Sequence, residues 1–99
     1  MAAGRDSAAS SPVRRIVITG ASSGLGRALA TELAQRFPGS TMLLLARRAD
    51  RLAELAADLP QVQCVCETVD ITDHERLFGI CRRFVTEHGA PDIVIANAG

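Results

Sequence analysis

Residues 14–27 read RRIVITGASSGLGR, and this stretch restricts the fold more than any other. Ile16, Val17 and Ile18 form a short apolar, β-rich run of the kind buried on both faces of a parallel sheet. The run passes directly into Thr19, Gly20, Ala21, Ser22, Ser23, Gly24, Leu25 and Gly26. Beyond it Leu25, Leu29, Leu33 and Phe37 recur at every fourth position, so a helix follows. A strand, a glycine turn and a helix N-terminus together make an anion site. The glycines allow close backbone approach, and the first-turn N–H groups lack intrahelical partners at the positive end of the helix dipole. A pyrophosphate satisfies both conditions, and the Ser22 and Ser23 hydroxyls add donors. The other reading, a plain βα turn, needs one or two glycines rather than three with two serines.

The rest of the chain repeats the pattern. Pro38 and Gly39 stop the first helix near Phe37. Thr41 to Ala46 (TMLLLA) is a second buried strand, followed by Arg47 and Arg48. A helix is expected over about Asp50 to Leu59, with Leu52, Leu55, Ala56 and Leu59 on one face. Val62 to Val69 reads as a third strand, with Asp70 just past it. Thr72 and Glu75 fit a capping box opening a third helix, whose apolar face carries Leu77, Ile80, Cys81, Phe84 and Val85. Gly89 and Pro91 end that helix, and Asp92 to Ala96 (DIVIA) is a fourth strand. Strict β-α alternation implies an α/β fold: a four-stranded parallel sheet between helices, with right-handed crossovers giving the order 3-2-1-4. The glycine turn, Arg47, Asp70 and Asn97 then share the C-terminal edge of the sheet, where such sheets bind ligands.

A net charge of zero gives no field for nucleic acid or an anionic membrane, and no apolar run reaches membrane-spanning length. Three cysteines do not suggest a disulfide framework, and no metal-ligand set has finger-like spacing. Cys64, Cys66 and Cys81 are expected to be buried, reduced thiols in a cytoplasmic protein. Residues 1–12 (MAAGRDSAASSP) lack the apolar region of a secretory signal and the stripe of a transit peptide, so they read as a disordered tail.

The spacing T-G-x-x-x-G-x-G, from Thr19 to Gly26, resembles the single-domain branch of the short-chain dehydrogenase/reductase family. The resemblance covers about residues 14–99. It implies a Rossmann-like three-layer fold over residues 13–99, truncated relative to the family, binding NADP(H) or NAD(H). By that likeness Gly20, Ser22, Ser23, Gly24, Leu25 and Gly26 surround the pyrophosphate. The residue after the second strand's usual acid position decides between the two cofactors. Here Ala46 is followed by Arg47 and Arg48, with no carboxylate before Asp50, and a guanidinium suits a ribose 2′-phosphate. NADP(H) is therefore preferred and NAD(H) is the less favoured cofactor; the other reading is that both arginines merely start an exposed helix, Arg48 being the more surface-like of the two. One departure is Ser23, where many NADP(H) members carry a basic residue.

Asp70 and Ile71 resemble the family pair that reads adenine through a carboxylate and an N–H, the other role for Asp70 being a helix cap. Asn97, Ala98 and Gly99 resemble the family's N-N-A-G motif, with Ala96 in place of the first Asn. There the Asn steadies the central strands and the small pair leaves room for the cofactor. His74 and His88, at the ends of the third helix, read as solvent-facing.

Family members continue with three more strands carrying a Ser and a Tyr-x-x-x-Lys motif. This chain has no Tyr and no Lys, so no catalytic residue is nominated. It is expected to be the N-terminal cofactor-binding part of an oxidoreductase acting on a carbonyl or alcohol substrate, inactive alone, with a homo-oligomer possible in the full-length protein. The alternative is a non-catalytic nucleotide-binding or interaction module built from the half-fold. Alone, the chain is expected to be marginally stable or poorly soluble, with uncovered apolar surface on the first and fourth strands.

Overall fold

A computed structural model describes residues 14–97. The tail expected over residues 1–12, and Ala98 and Gly99, lie outside the described residues. The elements follow in the order β1 (Arg15–Thr19), α1 (Gly24–Arg36), β2 (Thr41–Ala46), α2 (Ala49–Ala57), β3 (Gln63–Thr68), α3 (His74–His88) and β4 (Ile93–Ala96). The four strands form one parallel sheet in the order β3-β2-β1-β4, as the alternation requires.

Register explains the unbroken apolar strands. Ile16 pairs with Met42 and Ile93, and Ile18 with Leu44 and Ile95, on the face packed against α1 and α2. Val17, Leu43 and Leu45 point the other way, onto Ile80 and Phe84 of α3. Strands covered on both faces have no polar side to alternate. The expected exposure of the first strand is corrected here: α3 covers it, leaving Val17 buried. On β4 the expectation stands in part, since Val94 remains 60% exposed.

Helix α1 meets the sheet through Gly26, Ala30 and Ala34, while Leu25 faces solvent and Leu33 and Phe37 close the edge of the core. A Cβ at Gly26 would fall on the Gly20 carbonyl oxygen, so only glycine fits where the helix crosses the turn. Helix α2 begins one residue earlier and ends two residues sooner than expected, with Leu52, Leu55 and the following Leu59 all buried.

Four other expectations are corrected. The cap of α3 is Asp73, whose carboxylate accepts from the Arg76 N–H at 3.2 Å; Thr72 lies one residue outside, its hydroxyl held by Asp70. The thiols are free but not buried: on the edge strand β3 Cys64 is half-buried and Cys66 exposed, and Cys81 on α3 is half-buried. Even partial burial pushes the Cys64 thiol up to about 11, with Cys66 adding to the shift. His88 is half-buried against Phe84, ring centroids 5.0 Å apart, and Val85 is exposed instead of packed. Among the described residues no helix is long and apolar enough to cross a membrane.

Candidate functional site

The chain leaves β1 at Thr19 and turns at Gly20, whose φ of 63° favours glycine. A Cβ there would also strike the Asn97 carbonyl oxygen. The Gly20 carbonyl accepts from the Ser23 N–H (3.1 Å), the Ser23 hydroxyl (2.9 Å) and Asn97 Nδ2 (3.1 Å). Ser23 is the N-cap of α1, its Oγ accepting from the Gly26 N–H at 3.0 Å. Its hydroxyl proton is thus committed within the turn, whereas Ser22 makes no such bond. Asn97 anchors the turn from β4: Nδ2 reaches Ser23 Oγ at 2.8 Å, and the backbone N–H donates to Thr19 Oγ1 at 3.0 Å.

What this network leaves over matters most. Among the described residues, the N–H groups of Ser22, Gly24 and Leu25 make no hydrogen bond. Among the described residues no neighbouring group lies within 4 Å of a Cβ built on Gly24, so none of them requires glycine there.

An open cleft of about 440 Å³ runs along the sheet edge from this turn. It is lined by Gly20, Ser22, Ser23 and Asn97, by Ala46, Arg47, Arg48 and Arg51 at β2, and by Val69, Asp70, Ile71 and Thr72 beyond β3. The four strand ends therefore bring together Gly20, Ser22, Ser23, Arg47, Arg48, Asp70, Ile71 and Asn97. Gly24, Leu25 and Gly26 sit at the start of α1, beside the cleft but outside its lining. Sequence reasoning missed Arg51. Its signal was present: it stands three residues after Arg48 in the first turn of α2, so the two share a helix face.

The arginines differ in engagement. Arg48 forms a forked pair with Asp50, Nε to Oδ1 at 3.2 Å and Nη2 to Oδ2 at 3.1 Å. That pairing holds the Asp50 carboxyl below its usual range and raises Arg48. Arg47 has no hydrogen-bond or ion-pair partner among the described residues. Asp70 Oδ1 accepts from the Thr72 N–H (2.9 Å) and hydroxyl (2.7 Å), which hold its carboxyl below the usual range with a smaller contribution from Arg47. Its second oxygen is free to accept from a ligand, as no bond to it occurs among the described residues. Among the described residues no group of three or more acidic, histidine or cysteine side chains could hold a metal ion.

The family model described as short chain dehydrogenase matches residues 14–99. The chain belongs to the short-chain dehydrogenase family. It is 42% identical over 90 residues to an uncharacterised oxidoreductase of Mycobacterium tuberculosis, covering 87% of this chain and 35% of that protein. It is 38% identical over 87 residues to the NADPH-dependent pterin aldehyde reductase of Arabidopsis thaliana, with the same coverage. Among solved structures, L-sorbose reductase of Gluconobacter frateurii, complexed with NADPH and L-sorbose, superposes with a TM-score of 0.79 at 34% identity, over 90% of this chain and 34% of that one. The chain therefore spans about a third of the length of the short-chain dehydrogenases it matches.

Proposed function

We propose that this chain is the cofactor-binding part of an NADP(H)-dependent oxidoreductase that moves hydride between the nicotinamide ring and a carbonyl or alcohol carbon. One observation carries the reading: a cleft beginning at a glycine turn with unpaired helix-start N–H groups reaches, one strand over, an arginine with no hydrogen-bond or ion-pair partner among the described residues. Free N–H groups at a helix N-terminus suit a pyrophosphate. A guanidinium without an ion-pair partner, with no carboxylate at the end of β2, suits a 2′-phosphate, whereas a bare ribose 2′-hydroxyl finds there no acceptor for its proton and no charge to pair with the cation. We assign the reading of adenine to the open oxygen of Asp70 and the Ile71 N–H, which the lining of the same cleft supports. Gly24, bare of contacts, leaves room for the phosphates.

The NADPH-dependent Arabidopsis relative and the NADPH-bound sorbose reductase support the cofactor class. The cofactor supplies the hydride when bound; these residues bind and orient it. With no Tyr and no Lys to serve as the family's acid–base pair, the 99 residues bind without turnover. Titration with NADPH and NADH, followed by reduced-nicotinamide fluorescence, tests the reading. NADPH is expected to bind at least about tenfold tighter, the value of one additional charge-assisted contact. Equal or tighter binding of NADH overturns it.

A further inference from the structure

The cation nearest in sequence to Arg47 is not the one the structure leaves available. Arg48 is engaged by both oxygens of Asp50. Arg51, in the first turn of α2, lines the same cleft as Arg47, and its guanidinium has no hydrogen-bond or ion-pair partner among the described residues, only its backbone N–H meeting the Asp50 carboxylate. Glu54 stands three residues further along the helix, within reach of an i,i+3 pair, yet the structure does not join it to Arg51. Arg51 also works against its own helix, because a cation in the first turn opposes the dipole. Its charge therefore serves no contact within the described chain, while it borders both the main cleft and a smaller one shared with Ser22 and Arg48.

We propose that Arg51 is the second cation of the 2′-phosphate subsite beside Arg47, and that Asp50 holds Arg48 out of it. The assignment rests on the NADP(H) reading above. A phosphate dianion between two guanidinium groups receives forked hydrogen bonds from each, a geometry a lone arginine cannot supply. Asp50 then acts as a positioning residue that limits the positive charge facing the ligand.

Calorimetric titration of the full chain with adenosine 2′,5′-bisphosphate and with 5′-AMP tests this without turnover. Arg51→Gln is expected to weaken the bisphosphate about tenfold, one charge-assisted contact, while leaving 5′-AMP unchanged. Arg51→Lys is expected to restore part of the loss. Arg48→Gln should change neither ligand more than about twofold, within the small worth of an exposed ion pair, and Asp50→Asn should tighten the bisphosphate a few-fold by releasing Arg48. Circular dichroism of each variant checks that the fold is kept. Arg51→Gln weakening both ligands alike, or Arg48→Gln costing as much as Arg51→Gln, overturns the assignment while leaving the NADP(H) reading intact. A wild-type chain that fails to prefer the bisphosphate overturns both.

Discussion

Asn97 Nδ2 lies 2.8 Å from Ser23 Oγ and 3.1 Å from the Gly20 carbonyl oxygen, so one amide at the end of β4 fixes a turn 74 to 77 residues earlier. The turn holds its shape through groups that point inward, which leaves its outward N–H groups for a ligand. Asn97→Ala should remove both bonds and cost about 1–3 kcal/mol of unfolding free energy. Asn97→Asp should cost more, because it sets a second acceptor against the Gly20 carbonyl. Urea denaturation measures both, and a double-mutant cycle with Ser23→Ala should show coupling above about 0.5 kcal/mol. An additive cycle would contradict the direct contact.

The glycines of the turn should separate by purpose. Gly20→Ala places a Cβ against the Asn97 carbonyl in a left-handed backbone, and Gly26→Ala drives one onto the Gly20 carbonyl. Each should destabilise the chain by roughly 2–5 kcal/mol from strain and overpacking. Gly24→Ala meets nothing within 4 Å and should raise stability by up to about 1 kcal/mol, the helix preference of Ala over Gly. On the proposed NADP(H) reading the same variant should weaken NADPH binding, because the added methyl group would stand at the start of α1, where that reading puts the phosphates. Thermal melts paired with NADPH titration distinguish the two kinds of glycine; a Gly24 variant losing both stability and binding would contradict the division.

Asp70 sets a pH limit on the turn beyond β3. Hydrogen bonds from Thr72, and then the charge of Arg47, keep its folded carboxyl below the ordinary 3.8. The unfolded chain therefore binds more protons just under that value, so the Asp70 contribution is whole above about 3.8 and is lost as pH falls through the lower folded value. Asp70→Asn keeps an oxygen for Thr72 but does not titrate. Unfolding free energy measured from neutral pH to pH 3 should run parallel for both proteins down to about pH 4, with the wild type falling more steeply below it. Curves that diverge between pH 5 and pH 7 would rule Asp70 out as the cause.

The sheet order, the cleft and most of its lining were legible because each follows from a strong local pattern: an unbroken apolar run, a glycine cluster, a charge placed just past a strand. Finer placements depended on competition between neighbours. Thr72 had the spacing of a cap, but Asp70, two residues back, captures its hydroxyl and passes the capping role to Asp73. The leucines of α1 repeat at helical spacing, yet the close crossing over Gly20 selects the Gly26, Ala30 and Ala34 stripe for the sheet. Arg48 and Arg51 cannot be told apart by residue type. Only the position of Asp50 shows which guanidinium is engaged.

Strand β4 bonds only to β1, and among the described residues its outer edge has no partner. Val94 is 60% exposed on the face it shares with Val17, because α3 reaches across β1 and β2 but not this far. Phe78 at 66% and Val85 at 44% exposure add apolar surface on α3. An unpaired edge with an apolar side chain is a template for strand addition between chains. The 99-residue chain should therefore self-associate as its concentration rises, and Val94→Lys should suppress this by placing a charge on the edge. Since Val94 packs against little, that substitution should change unfolding free energy by no more than about 0.5 kcal/mol. Sedimentation velocity over a concentration series reads the association. A wild-type chain that stays monomeric throughout would show that the open edge does not recruit a second copy, and an associating Val94→Lys chain would move the contact to Phe78 and Val85 on α3.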